Sequence, residues 1–572
     1  MQYCVHEDVY RGVVWRAAFD AGEVAEIDDY TYHLLEERRA GRMSRGEFLR
    51  RITVAGASIT LAGSLLAACG SEGGQANQQQ PAGPVKRGGT GRLGLVVPAS
   101  DPDPVTLFSS GAVFVTQVAA EGLCFPRPDF TLEPKLATKW EPGNGAKEWT
   151  FTLREDVKFH DGSTMTADDV VATFDRLTNP DNESAALSAF GGILSYQQTE
   201  KVDAKTVRFN LDRPYIDFPY LLSLFNYNAV ILPKDYEIGS FSKGGIGTGP
   251  YILKEYRPNQ GATYVKNPNY WDKGKPYMDG VEANFYDDNS PLVLALQAGE
   301  VEAVPQIPFQ GSQAVFSDSN VVILENPSSE YRGLHMRVDK EPFTDKRVRQ
   351  ALALSLDRPA LSQGLLDGKA DLGNDHPFAP VYPNSPSGSA VPQRKRDVAR
   401  AKKLLADAGH PNGVDVELTT ERFLEIPQYA VTLKEQCKEA GINVSLNIMD
   451  QASYYGSGDN QPWLEVPLGV VDWASRGSAS QTIAPAYLCD GIWNAAHWCN
   501  EEYDGLVREF DGELDEGRRK ELATQAATLQ QEEVPGIISY WARELRAVRN
   551  NFQGLAKGPN IVLDMSSVWL SG

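Results

Sequence analysis

Val414–Ile448 reads VDVELTTERFLEIPQYAVTLKEQCKEAGINVSLNI, and this stretch decides the fold class. Val414 to Thr419 has the pattern of a strand, Ile426 to Ala440 that of a helix stopped by Gly441, and Ile442 to Ile448 that of the next strand. Two strands joined through a helix pack side by side with the helix across them, so a segment of this size predicts a doubly wound α/β lobe. The same alternation continues outward. Asp397 to Ala408 and Arg347 to Leu356 have helical periodicity, and Gly409 with Pro411 stops the former. Glu148 to Leu153 (EWTFTL) alternates as a half-buried strand does, and Val157 to Gly162 ends in an Asp-Gly turn. Thr166 then stands as an N-cap, with Asp168 and Asp169 in the first turn of a helix whose apolar face is Val170, Val171, Phe174 and Leu177.

The chain has 572 residues and a formal charge of −21. That charge excludes a nucleic-acid partner, which requires a basic face, and suits an exported surface kept soluble by self-repulsion. Six cysteines in this length exclude a disulfide scaffold, and no Cys-x-x-Cys pair offers a zinc or redox site. Cys489 and Cys499 stand ten residues apart, and a bridge between them is expected.

Ile52 to Ala68 (ITVAGASITLAGSLLAA) carries no charge and follows Arg45, Arg50 and Arg51. Basic region, apolar region and small residues in that order make a secretory signal. It ends in Leu66-Ala67-Ala68-Cys69-Gly70, which resembles the bacterial lipobox and implies lipidation of Cys69. Ser44-Arg45-Gly46-Glu47-Phe48-Leu49-Arg50 resembles the twin-arginine signal with Gly46 in place of the second arginine, so the twin-arginine and general secretory routes both stay open. Residues 1–68 are therefore expected to be a leader. The polar segment 69–85 holds almost no large apolar residue and is expected to be a tether.

Beyond it comes an ordered series of motifs. Leu132–Glu141 is LEPKLATKWE, and Trp149–Leu177 is WTFTLREDVKFHDGSTMTADDVVATFDRL. Gly247–Tyr256 is GTGPYILKEY, Asn267–Trp271 is NPNYW, and Leu296–Val304 is LQAGEVEAV. Pro342–Arg358 is PFTDKRVRQALALSLDR, Ala401–Gly413 is AKKLLADAGHPNG, and Glu502–Phe510 and Glu532–Trp541 close the set. Together they resemble the family 5 solute-binding proteins, the receptors of peptide, nickel and opine ABC importers. The resemblance implies an α/β, two-lobed periplasmic-binding-protein-like fold (class II, large cluster C type) with a subdomain inserted in lobe I. The implied division is lobe I at 86–125, 245–335 and 545–572, the insert at 126–244, and lobe II at 336–544. It also implies a monomer, tethered to the membrane by its lipid on the outer side, that captures a peptide or amine-bearing solute by hinge closure. The solute would pass to permease subunits driven by a cytoplasmic ATPase. Opine, sugar and nickel-chelate receptors are the alternatives within the family; an exported hydrolase is the alternative outside it.

The residues offer little to catalysis. No HExxH, GxSxG or P-loop pattern occurs, and GGIGTG (Gly244–Gly249) lacks dinucleotide-binding spacing, so no catalytic residue, cofactor or metal is assigned. The strongest candidate site is Asp472-Trp473-Ala474-Ser475-Arg476. In peptide-binding members an Asp at the matching place holds the ligand's α-ammonium, and a carboxylate in a partly dry cleft does so strongly. Pro-Asp-Pro normally follows; here Ala-Ser-Arg replaces it. Arg476 is expected either to hold a carboxylate bidentately or to neutralise Asp472. Trp473 and Trp493 are candidate pocket walls or core residues. Tyr331 and Arg332, where the chain passes between lobes, and Tyr227, just before the apolar Ala229–Pro233, complete the set of candidate ligand contacts.

Overall fold

A computed structural model describes residues 15–18, 24–27, 83–456, 460–559 and 561–571. The expected leader and Cys69 lie outside them, apart from a two-stranded antiparallel pairing of Trp15–Ala18 with Val24–Ile27. Most of the tether also lies outside. The rest of this subsection concerns the unit that begins at Gln79.

The deciding segment folds into the strand Val414–Glu421, the helix Ile426–Lys438 and the strand Ile442–Met449. The two strands pair in parallel from Val414↔Ile442 to Glu421↔Met449. Ile426, Tyr429, Ala430, Leu433 and Cys437 form the buried face of the helix, at the three- and four-residue spacing that lines one side. The unit sits at one end of a six-stranded sheet ordered 370–372, 536–542, 331–336, 468–473, 414–421, 442–449. A second, seven-stranded sheet runs 251–257, 261–266, 280–286, 90–96, 303–304, 544–549, 321–326. Each sheet has its own core: Leu334, Leu418, Leu433 and Leu468 in the six-stranded lobe, and Leu93, Phe114, Tyr251 and Val281 in the seven-stranded one.

Residues 137–210 form a four-stranded antiparallel sheet, covered by the helix Ala167–Thr178, with a core of Trp149, Phe151, Phe174 and Phe209. Thr166 and Asp169 close a reciprocal capping box at the start of that helix. The return to the first lobe passes through Gly247 and Gly249. A Cβ on either would lie 2.2 or 2.5 Å from the Ala119 backbone, so glycine is required by close approach there.

The chain crosses between the two large sheets twice, after Asn326 and again at Arg543, and the crossings are tied together. Ser328 Oγ donates to Ala542 O at 2.7 Å, and Ala542 N donates to Glu330 O at 2.8 Å. Arg543 spans Glu325 (3.1 Å) on one lobe and Asp371 (2.9 Å) on the other. One expectation needs correction here. The first lobe was expected to run to 335, but Tyr331–Met336 lies whole in the six-stranded sheet, paired with Leu468–Trp473 on one side and Gly536–Ala542 on the other. The passage therefore falls at Pro327–Glu330. A boundary inside a strand would break ladder hydrogen bonds on both flanks.

The second lobe holds two buried ionisable arrangements with measurable consequences. Asp375, with no exposed surface, accepts from Arg358 at 2.6 and 2.8 Å and from Arg394 at 2.7 Å. Replacing Asp375 with Ala leaves two guanidiniums without their carboxylate, and we expect a loss of about 3–5 kcal/mol in urea unfolding. His335 is enclosed on the strand facing Gly469, and burial pushes its imidazole down to about 3. Between that value and the ordinary 6.5 the unfolded chain binds a proton that the folded chain refuses. Stability should therefore fall as pH drops below 6.5. His335→Gln should reduce the loss between pH 7 and 5 by up to about 2 kcal/mol. Unfolding midpoints of the two proteins at both pH values would check this.

Candidate functional site

The ends of the six-stranded sheet nearest the crossings gather four charged groups. Arg332 and Asp472 are directly opposite each other on neighbouring antiparallel strands. On such a pair side chains at facing positions meet, and Arg332 Nη1 lies 2.7 Å from Asp472 Oδ1. Glu330, two residues back on the same face, reaches Arg332 Nη2 at 3.0 Å, and Glu425, which immediately precedes the helix Ile426–Lys438, reaches Nε at 3.0 Å. Tyr540 Oη donates to Glu425 at 3.0 Å. Three carboxylates thus share one guanidinium that is only 2% exposed. Burial works against the charge on Arg332, but Glu425, Asp472 and Glu330 outweigh it and push its pKa well up. Burial raises Asp472 and Glu330 above the ordinary carboxylate range despite the pull of Arg332. Nearby Glu421 is raised by burial too, while Tyr455 and Gln451 hydrogen-bond its charged form.

Arg332, Glu330 and Glu425 line a cavity of about 300 Å³ between the lobes, closed on the other side by Ser110 and Gly111, Gln306 and Gln310. Asp472 keeps about a quarter of its side chain exposed. Strand alternation turns Trp473 to the opposite face, where it stacks on Tyr331 (6.0 Å between centroids, 7°) and meets Trp493 edge-on at 6.1 Å.

A larger cavity, about 880 Å³, opens between the insert and the second lobe. Tyr227 and Asn226 line it from the insert; Arg476, Gln481 and Trp493 line it from the second lobe. Around it the two bodies are joined by Arg213–Asp511 (2.6 Å) and by Arg519–Asp217 (3.0 Å), the latter pair almost wholly buried. Phe130 of the insert packs on Phe225 and Tyr382. The cavity wall at 488–499 is a short loop closed by a disulfide between Cys489 and Cys499. Cys124 and Cys437 are buried free thiols.

The structure brings Tyr227, Arg476 and Trp493 to one cavity and joins Arg332 to Asp472 in the other group. Tyr331 is corrected: it has no exposed surface and lies in an aromatic cluster with Trp473 and Trp541, its hydroxyl 3.5 Å from that of Tyr487. It is a core residue, because the strand's alternation points it away from Arg332. Arg332, not Arg476, is the ion-pair partner of Asp472. Sequence reasoning missed Glu330 and Glu425. Glu330 had a signal, two residues before Arg332 at the entry to its strand; Glu425 had none, since its contact is 93 residues away. Among the described residues no group of three or more His, Cys, Asp or Glu could hold a metal, and no helix is long and apolar enough to cross a membrane.

Comparison with known proteins agrees with this architecture. The glutathione-binding protein GsiB of Salmonella typhi is 28% identical over 451 residues, covering 76% of this chain and 85% of that protein. GsiB of Escherichia coli K12 is 26% identical over 454 residues with the same coverage. Among solved structures, the substrate-binding protein CtaP of Listeria monocytogenes superposes with a TM-score of 0.74 at 22% identity, over 85% of this chain and all of that one. The oligopeptide-binding protein AppA of Bacillus subtilis, solved with a nonapeptide, gives 0.68 at 22% identity over 85% and 100%. All four are named as binding proteins. Residues 131–494 match the family model described as bacterial extracellular solute-binding proteins, family 5, middle region, and the chain belongs to that family.

Proposed function

We propose that this protein is the lipid-anchored receptor of an ABC importer and that it captures a peptide or a related amine-bearing solute, with no chemical step. The observation that carries the ligand class is the excess of carboxylates at the cleft. Glu330, Glu425 and Asp472 share the single guanidinium of Arg332, and Asp472 is the one of the three on the strand that leads into the cavity wall at Arg476. An ammonium group reaching Asp472 would relieve that excess in a poorly screened setting. Relatives named for glutathione and for peptides favour the same class.

Capture would follow from hinge closure. The two crossings are short, and the insert and second lobe meet across ion pairs and aromatic contacts that a separation of the lobes would break. Binding energy then stabilises the closed form, which a permease can recognise. The signal-like segment, the lipobox-like Cys69 and the polar tether support a position outside the cell membrane beside a permease.

Thermal unfolding against peptides, amino acids, sugars and nickel chelates tests the reading. A true ligand at 100 times its dissociation constant should add about 2.7 kcal/mol of stability. Asp472→Asn keeps Arg332 paired with Glu330 and Glu425, so the fold should survive while affinity for an amine-bearing ligand falls by about 30-fold or more. N-acetylated peptides should bind the unaltered protein as weakly. Turnover of an ester or glycoside, with no stabilisation by any solute, would contradict the proposal.

A further inference from the structure

Both ends of the insert run into the first lobe, and side chains fix it there. Lys135 Nζ lies 2.8 Å from Asp564 and 3.3 Å from Glu121, and the Arg154 guanidinium lies over Trp271 at 4.1 Å. The insert therefore moves with the first lobe, and an opening about the two crossings pulls it off the second. The contacts that such an opening breaks are close ones. Arg519 meets Asp217 at 3.0 Å, and Arg213 meets Asp511 at 2.6 Å. Ser480 Oγ stands between the two carboxylates, bonded to Asp511 and 3.4 Å from Asp217. Ile216 N donates to the backbone carbonyl of Asp511 at 2.7 Å. The Tyr220 and Phe225 rings approach Gly477 so closely that a Cβ there would lie 2.8 Å from each.

Asp217 and Arg519 are both buried, and neither lines either of the two cavities described above. The void beside them measures only about 20 Å³, room for a single water, so little solvent screens the pair while the bodies touch. Arg519 is held in place from its own lobe, donating through Nε to Phe510 O at 3.2 Å and lying over the Phe510 ring at 4.2 Å. A buried ion pair and its two hydrated halves differ little in free energy, so the pair permits contact rather than driving it. The apolar cluster that Phe130 and Phe225 share with Tyr382 and Phe510 supplies the attraction. Losing one partner changes the balance, because the other charge is then buried alone whenever the bodies meet. Every contact in this set is between protein groups.

We infer that Asp217 and Arg519 form a latch that keeps the second lobe on the insert in solute-free protein, and that they set the receptor's affinity without touching the solute. This rests on the receptor reading and extends it. The apparent affinity for a solute scales with the fraction of molecules in which the lobes meet, so the two positioning residues act alike on every solute.

Small-angle X-ray scattering of the solute-free protein tests the latch. Unaltered protein should scatter as the compact form, and Asp217→Asn should enlarge the radius of gyration with an unchanged circular-dichroism spectrum. Calorimetry with glutathione and with trialanine gives the second readout: Asp217→Asn should weaken both by one common factor of about 10 to 100. Asp217→Leu combined with Arg519→Met removes both charges together; it should restore compact scattering and bring both affinities within about threefold of the unaltered values. Should Asp217→Asn not fold, Arg213→Gln at the more exposed pair should enlarge the solute-free radius instead. Expanded scattering by unaltered solute-free protein would overturn the inference. So would unchanged scattering in the single variants, an expanded double variant, or unequal weakening of glutathione and trialanine, which marks a solute contact. If neither probe nor any solute of the panels binds, the receptor reading fails, and the scattering comparison still decides the latch.

Discussion

The guanidinium of Arg332 is the interaction around which the rest is arranged. It sits two residues after the first crossing, bonds across the ladder to Asp472, and reaches Glu425 just ahead of the helix that covers the sheet. A single buried cation therefore ties the crossing, a central strand and a helix start into one rigid corner. The cost of desolvating Arg332 is offset because three carboxylates surround it; remove the cation and those carboxylates would repel one another at close range. The corner is stable only as a set, and that set leaves a surplus of negative charge facing the gap between the lobes.

The strand that supplies Asp472 also supplies the division of labour at the site. Alternation sends Asp472 to the ionic face and Trp473 to the aromatic one, against Tyr331 and Trp493. Three residues later the chain turns at Arg476, and the wall of the large cavity begins. The ionic corner and the wall of the large cavity are thus supplied by one continuous segment. The insert completes the enclosure, and the pairs Arg213–Asp511 and Asp217–Arg519 hold it against the second lobe. Both pairs are partly or wholly buried, so they depend on the two bodies being in contact.

Legibility of the sequence followed the range of the interactions. The strand–helix–strand unit and the capped helix after Thr166 are governed by periodicity and capping, both local. They were readable from short windows. The limit of the first lobe was not, because whether Tyr331 pairs with the first sheet or the second depends on strands far away in the chain. Tyr331 was misplaced for a related reason: next to Arg332 in sequence, it faces the other side of the sheet. Asp472 was visible only through its place in a motif, and nothing local signalled that Arg332 would neutralise it.

By itself, then, the sequence determined the class of fold, the order of its parts and the segment that carries the site, because these rest on patterns within tens of residues. The tertiary structure decided which charges are paired and which are left over. Asp472 and Arg476 are four residues apart, close enough to have been read as a pair. Folding gives Asp472 to Arg332, 140 residues away, and leaves Arg476 facing a cavity. Charge compensation in a desolvated corner is a property of three-dimensional neighbours, and no window of the chain contains it.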